Sequence, residues 1–270
     1  MSVEGTRRAA PAGAVRFDCV VDGRRLEVAR WGRSENGDRA IVMLHEGLGS
    51  IALWKDVPHL IAERTGHDVI AYSRYGYGHS DRLAEPRDVG YMHHEALSVL
   101  PTLLTELGLS QPILLGHSDG ASIALIYAGS YPGSTSALIL EAPHVFVEPL
   151  SIRSIARAKA AFETSDLEEK LARYHDDPRA TFRGWNDIWL DPRFFTWNIE
   201  PYVGKVDVPV LLVQGEDDEY GTQAQLDAIR SRIPAETVVL ERCGHSPHRD
   251  RPSEALDAIA AFIRALPKPA

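Results

Sequence analysis

Ile113-Leu114-Leu115-Gly116-His117-Ser118-Asp119-Gly120-Ala121-Ser122-Ile123-Ala124-Leu125 decides the fold of this chain. Its first residues are an apolar strand and its last an apolar helix, with a tight turn between them. Ser118 stands at the apex, flanked at two residues on either side by Gly116 and Gly120, which gives the pattern G-x-S-x-G. The spacing has a chemical reason. A serine that attacks a carbonyl has to be lifted off the sheet edge on a strained turn, and side chains at the flanking positions would meet the neighbouring strand and helix. The helix that follows aims its unpaired N–H groups back at the serine, where negative charge would develop.

Working outward, the chain reads as strand and helix in alternation. Upstream, Val15–Val21 and Arg24–Trp31 alternate polar and apolar residues around Asp22-Gly23, a two-residue hairpin signal. Continuous apolar runs at 40–44 and Val69–Tyr72 are strands buried on both faces. Helices are expected over 53–65 and 91–107, the latter with Leu97, Leu100, Leu104 and Leu107 at helical spacing. Downstream, 136–140 is a strand. The rhythm breaks over 145–205, where helices are expected at 145–164 and 166–175. There 176–197 is crowded with Phe182, Trp185, Trp189, Phe194, Phe195 and Trp197. It resumes with a strand at 208–214, a helix at 223–232, a strand at 237–240 and a helix at 253–266. This order predicts an α/β protein with a mostly parallel sheet covered by helices on both faces. The core would comprise 15–144 and 206–270, a mainly helical insertion 145–205, and a mobile tail 1–14.

Composition bounds the partners. At 270 residues the chain can bury one large core. A formal net charge of −9, with no basic stripe, argues against nucleic acid and against anionic membranes. No run of 18 apolar residues suggests a membrane span. The two cysteines, Cys19 and Cys243, lack metal-ligand spacing and read as packed, reduced thiols. The N-terminal residues carry no apolar stretch of a secretory signal, so a cytoplasmic location is expected. No metal or other cofactor is expected, the expected partner is a small molecule, and oligomeric state is not readable.

A serine hydroxyl needs a base. Among 11 histidines, His245 in Cys243-Gly244-His245-Ser246 follows the last strand and reaches the same carboxyl edge of the sheet as Ser118. His248 is the competitor. His117 should point away from the site, and His45 should brace its loop. His93, His94, His144 and His175 read as solvated or satisfied. The base needs a carboxylate to fix its tautomer. Gln214-Gly215-Glu216-Asp217-Asp218-Glu219 ends a strand between serine and histidine in chain order; Asp218 is the first candidate, with Asp217 and Glu141 behind it.

The order Ser118, Asp218, His245 resembles that of the α/β-hydrolase family, and the resemblance covers nearly the whole chain. It is carried by His45-Glu46-Gly47-Leu48-Gly49, Arg74-Tyr75-Gly76-Tyr77-Gly78-His79-Ser80, Gly116-His117-Ser118-Asp119-Gly120, Gly215-Glu216-Asp217-Asp218 and Gly244-His245. The resemblance implies that the acid falls three residues after the strand-ending glycine, at Asp218. It also implies an oxyanion hole from the backbone N–H groups of Gly47 and Asp119. The usual loop begins His-Gly, whereas this one begins His45-Glu46. A carboxylate aimed at an oxyanion hole would repel the developing charge, so Glu46 should turn to Arg74 or another donor. Ser118 argues against the dehalogenases and epoxide hydrolases of this fold, which use aspartate. Gly49 breaks H-E-x-x-H and with it a zinc motif.

The insertion should cover the carboxyl edge, with Trp185 and Trp189 touching a small apolar or aromatic substrate. Alternatively Trp185, Trp189, Phe194, Phe195 and Trp197 would form the insertion's own core, and both roles can hold for different residues. One of Arg153, Arg157, Arg173, Arg179, Arg183 and Arg193 could pair with a substrate carboxylate. The expected activity is hydrolysis of a small carboxylic ester or lactone through an acyl-enzyme on Ser118. A carbon–carbon hydrolase of a diketone or ring-cleavage product using the same residues is the alternative, and a non-catalytic small-molecule binder the remaining one.

Overall fold

The computed structural model describes residues 13–32, 40–83 and 85–267. The expected tail 1–14 lies outside them except for Gly13 and Ala14. Eight strands form one sheet: β1 (Val15–Val21), β2 (Arg24–Trp31), β3 (Ile41–Leu44), β4 (Val69–Tyr72), β5 (Ile113–His117), β6 (Ala137–Glu141), β7 (Val210–Gly215) and β8 (Glu236–Leu240). Their spatial order is β1-β2-β4-β3-β5-β6-β7-β8. β1 pairs antiparallel with β2 and β2 with β4; every later pairing is parallel. The hairpin turns on Asp22 and Gly23, at φ 49° and 73°, the left-handed pair that such a turn demands.

The apolar runs divide between two cores because successive side chains point to opposite faces. Val42, Leu44, Leu114, Leu138 and Leu212 face one layer of helices: α3 (Leu100–Glu106), α4 (Asp119–Ser130) and α9 (Gln223–Arg230). Ile41, Met43, Leu115, Ile139 and Leu211 face α1 (Val57–Thr65) and α11 (Pro252–Ala265). β5 is therefore central in the sheet and dry on both sides, and α4 springs from its end.

Two expected helices are interrupted. The one at 53–65 splits into a 3₁₀ turn (Ile51–Trp54) and α1, separated by Lys55 at φ 53°. The one at 91–107 comprises α2 (Tyr91–His94), a π-helical turn (Glu95–Val99) and α3. Pro101 explains the π turn, because it offers no N–H to the carbonyl four residues back and its ring would collide with it. That carbonyl, Leu97 O, accepts instead from Tyr131 OH at 2.9 Å.

Between β6 and β7 lie α5 (Pro149–Thr164), α6 (Leu167–Leu171), α7 (Pro178–Trp189), a 3₁₀ turn (Pro192–Thr196) and α8 (Glu200–Val203). The expected helix at 166–175 is thus shorter, and that at 145–164 begins at Pro149, which suits a first helical position. Both ends of this segment are tied together by Ile199 N donating to Val145 O at 2.8 Å. Phe194 and Trp197 stack at 5.3 Å and Phe162 on Phe182 at 4.0 Å, so these rings pack the segment itself. A further short helix, α10 (Pro247–Asp250), follows His245.

Candidate active site

Ser118 sits between β5 and α4 at φ 53°, ψ −116°. A non-glycine residue at positive φ is strained by about 1–3 kcal/mol, and its neighbours impose it. A methyl group on Gly116 would overlap the Gly120 carbonyl, and one on Gly120 would overlap the Leu44 carbonyl. Ser118 N donates to Glu141 O at 2.9 Å and pins the turn to the next strand.

The structure brings three of the expected residues together. Ser118 Oγ lies 2.9 Å from His245 Nε2, and His245 Nδ1 lies 2.9 Å from both Asp218 oxygens. Asp218 is 8% exposed. Its Oδ1 accepts from the Tyr220 and Gly221 N–H groups at 2.7 and 3.2 Å, and its Oδ2 from Gln214 Nε2 at 2.6 Å. Burial pushes this carboxyl up, but the charge of His245, its hydrogen bond and the Tyr220 N–H outweigh burial and bring it down to about 2. His245 is clamped through its backbone as well: its carbonyl lies 2.7 Å from His117 Nε2 and its N–H donates to Glu219 Oε2 at 3.2 Å. Asp217 is exposed. Glu141 and His248 pair with each other at 2.6 Å in the buried layer beside the site and away from Ser118.

Glu46 turns to a donor, though a different one from Arg74. Its Oε2 is 3.6 Å from His117 Nδ1, in ion-pair range and too long for a hydrogen bond. Arg74 Nη2 takes the Glu46 backbone carbonyl at 2.9 Å. Burial raises the Glu46 carboxyl, and His117 and His45 overcome it and hold it below the usual range; Glu46 in turn raises His117 against its own burial. His117 therefore does not leave the site, as its sequence position suggests, but supports His245 from behind. His45 braces its loop: Nε2 accepts from Arg74 N at 3.1 Å and Nδ1 faces Glu46 O at 2.8 Å.

The backbone N–H groups of Gly47 and Asp119 donate to no other described residue. The Asp119 carboxylate points away from the serine, where Oδ2 accepts from Tyr91 OH at 2.6 Å and lies 3.6 Å from Arg74 Nη2. Trp189 Nε1 donates to the same Tyr91 hydroxyl at 3.1 Å. That carboxylate thus leaves the space before the Asp119 N–H free of negative charge.

Above Ser118 is a pocket of about 170 Å³. Glu46, Gly47 and Leu48 form one wall, His245 and Ser246 another. Trp185 and Trp189 from α7, with Ser151 and Ile155 from α5, close it. Both expected tryptophans line it. So does His144, read from sequence as solvated or satisfied. It is 2% exposed, and its Nδ1 has no partner. Nothing around it in the sequence marks this, because Ala142 at φ 46° redirects the chain just before it. His175 is satisfied: Nδ1 accepts from Gly78 N at 2.9 Å and Nε2 lies 3.0 Å from Leu48 O. Among the described residues no cluster of three metal-ligating side chains occurs, and no helix is long and apolar enough to cross a membrane.

A strand-elbow-helix serine on an eight-stranded, mostly parallel sheet defines the class, and the chain belongs to the alpha/beta hydrolase family, whose model matches residues 41–259. It is similar to the proline iminopeptidase of Lactobacillus delbrueckii subsp. lactis, 36% identical over 254 residues that span 79% of this chain and 86% of the relative. It is 26% identical over 262 residues to the sn-1-specific diacylglycerol lipase ABHD11 of Mus musculus, spanning 83% and 80%. The enol-lactonase from Burkholderia xenovorans LB400 shares the fold with a TM-score of 0.72 at 18% identity, covering 92% of this chain and 100% of that one. An iminopeptidase, a lipase and a lactonase thus accompany one architecture, so the family gives a hydrolase and the pocket has to give the bond.

Proposed function

We propose that this chain is a serine hydrolase that cleaves a small carboxylic ester or lactone through an acyl-enzyme on Ser118. The observation that carries the reading is the unbroken relay from Asp218 through His245 to Ser118, opening into a pocket of about 170 Å³. Ser118 Oγ attacks the substrate carbonyl as His245 Nε2 takes its proton, and Asp218 holds the imidazole in the Nδ1–H tautomer and balances the imidazolium. The Gly47 and Asp119 N–H groups receive the oxyanion. His245 then gives the proton to the leaving alcohol. Water, deprotonated by His245, attacks the acyl carbon and restores Ser118. The helices between β6 and β7 act as a cap, with Trp185 and Trp189 against the substrate. The free, buried Cys19 and Cys243 fit a reducing compartment.

Acid release from a panel of short and aryl esters, with wild type and Ser118→Ala side by side, tests this. Expected is turnover that falls by about 10⁴-fold or more in the variant, with an acyl adduct on Ser118 visible by mass spectrometry. An ester activity that survives Ser118→Ala would overturn the reading. Ser118-dependent cleavage of a diketone with no ester turned over would transfer it to carbon–carbon hydrolysis.

A further inference from the structure

One buried polar side chain in the pocket has no side-chain hydrogen bond to any described residue. His144 Nδ1 is fully enclosed without a hydrogen bond. Nε2 is not among the fully enclosed unpartnered atoms, and the ring lines the pocket that also holds Ser118, His245 and Trp189. Leaving a buried polar atom unmatched is destabilising, and an apolar ring of the same shape would avoid that cost.

The ring is nonetheless held firmly. Ala142, at the strained φ of 46°, turns the chain into the site. Ser122 Oγ donates to His144 O at 2.6 Å, and Gln225 Oε1 accepts from Val145 N at 2.8 Å. Trp189 packs edge-on at 5.2 Å, and His245 lies 5.6 Å away between ring centres. Gly221 closes the other side, where a methyl group would come within 3.2 Å of Cε1. Burial, then the charge of His245, brings His144 down to about 3, so the ring is neutral in the working range. A neutral imidazole has one donor and one acceptor. Orphaned buried N–H groups are rarer than unsatisfied acceptors, which assigns the bare lone pair to Nδ1 and the proton to Nε2, facing the pocket.

We propose that His144 is a specificity-determining residue whose Nε2–H donates to a second, uncharged oxygen of the substrate, a ketone or ether oxygen close to the ester that Ser118 attacks. This rests on the hydrolase reading above. Glu46 on the same wall disfavours an anion there, while Arg249, also on the wall, makes a carboxylate-bearing ester the necessary control.

Two measurements test it, one independent of turnover. Imidazole ¹⁵N NMR of the resting protein should find His144 neutral above pH 5 with its proton on Nε2; a proton on Nδ1, or protonation near pH 6.5, overturns the proposal. Ethyl 4-oxopentanoate, ethyl pentanoate and monoethyl succinate are then titrated as intact ligands into Ser118→Ala, following the same ¹⁵N signal, and assayed as substrates of wild type and His144→Phe. The oxo ester should bind and turn over at least about tenfold better than the plain ester, shift the Nε2 signal, and lose that advantage through KM in His144→Phe. An advantage that persists in His144→Phe, equal handling of the oxo and plain esters, or a His144-dependent preference for the succinate overturns it. Failure of all three to turn over counts against the hydrolase reading alone, because the binding arm still reads His144.

Discussion

Asp218 is surrounded by donors on every side, and that makes its replacement informative. The Tyr220 and Gly221 N–H groups take one oxygen and Gln214 Nε2 the other, with His245 Nδ1 in reach of both. In Asp218→Asn the amide oxygen has to stay on the two backbone donors, which turns the NH₂ group toward Gln214 and His245. His245 Nδ1 must then accept, so its proton moves to Nε2 and faces Ser118, where no base remains. The expected outcome is a fall in kcat of about 10³- to 10⁴-fold with KM changed only a few-fold, read by steady-state kinetics on the best ester of the panel. A kcat within tenfold of wild type would mean that Asp218 does not set the tautomer.

At the scale of elements, the glycines of the elbow and of the loop after β3 differ in what they touch. A methyl group on Gly120 would overlap the backbone carbonyls of Leu44 and His45, which cannot yield without parting α4 from β3. Gly120→Ala should therefore destabilise by about 3 kcal/mol or more. A methyl group on Gly47 would meet the Trp185 indole instead, a side chain bordering the pocket rather than fixed backbone. Gly47→Ala should leave stability within about 1 kcal/mol and raise KM; urea melts and kinetics on both variants check the contrast, and equal destabilisation would refute it. These contacts also mark what the sequence could convey. The two-sided apolar runs of β3 to β7 and the hairpin at Asp22-Gly23 are legible because burial on both faces and a left-handed turn leave local signatures. Ser118 and His245 are legible because each lies on or in the loop after a strand end, whereas Asp218 shares that position with Asp217 and Glu141 and is singled out by the family spacing. The π turn was hidden because Pro101 perturbs a helix four residues upstream of itself. His144 and Gln214 were hidden because their surroundings are assembled from segments far apart in the chain, on a backbone turned by one alanine at positive φ.

Five histidines of the molecule are held in two opposed electrostatic states, and stability should record both. Burial lowers His45, His144 and His175, the last two also under the charge of neighbouring histidines and His45 under that of Arg74; half-buried His93 leans the same way. For these groups the unfolded chain binds protons that the folded chain refuses, so below the unfolded value of about 6.5 stability falls as pH falls. Each such proton contributes a slope of at most about 1.4 kcal/mol per pH unit, and the slopes of the three buried rings add. His117 has the opposite sign. Glu46 raises it against burial, so its contribution is complete below about 6.5 and is lost as pH rises through its folded value. The Glu46 and Asp218 carboxyls, both lowered, withdraw their support only at pH values below their unfolded range near 4. Stability should therefore peak above about pH 6.5, where the shrinking acid-side slope of the three rings meets that of His117, falling steeply on the acid side and gently on the alkaline side. Urea melts from pH 4.5 to 8.5 measure this directly. In Glu46→Gln the alkaline decline should flatten, with about 1–3 kcal/mol lost at the peak, between the values for exposed and buried ion pairs, while the acid slope persists. A wild-type profile that is flat or rising from pH 6.5 down to 5 would contradict the neutral state assigned to His45, His144 and His175 together.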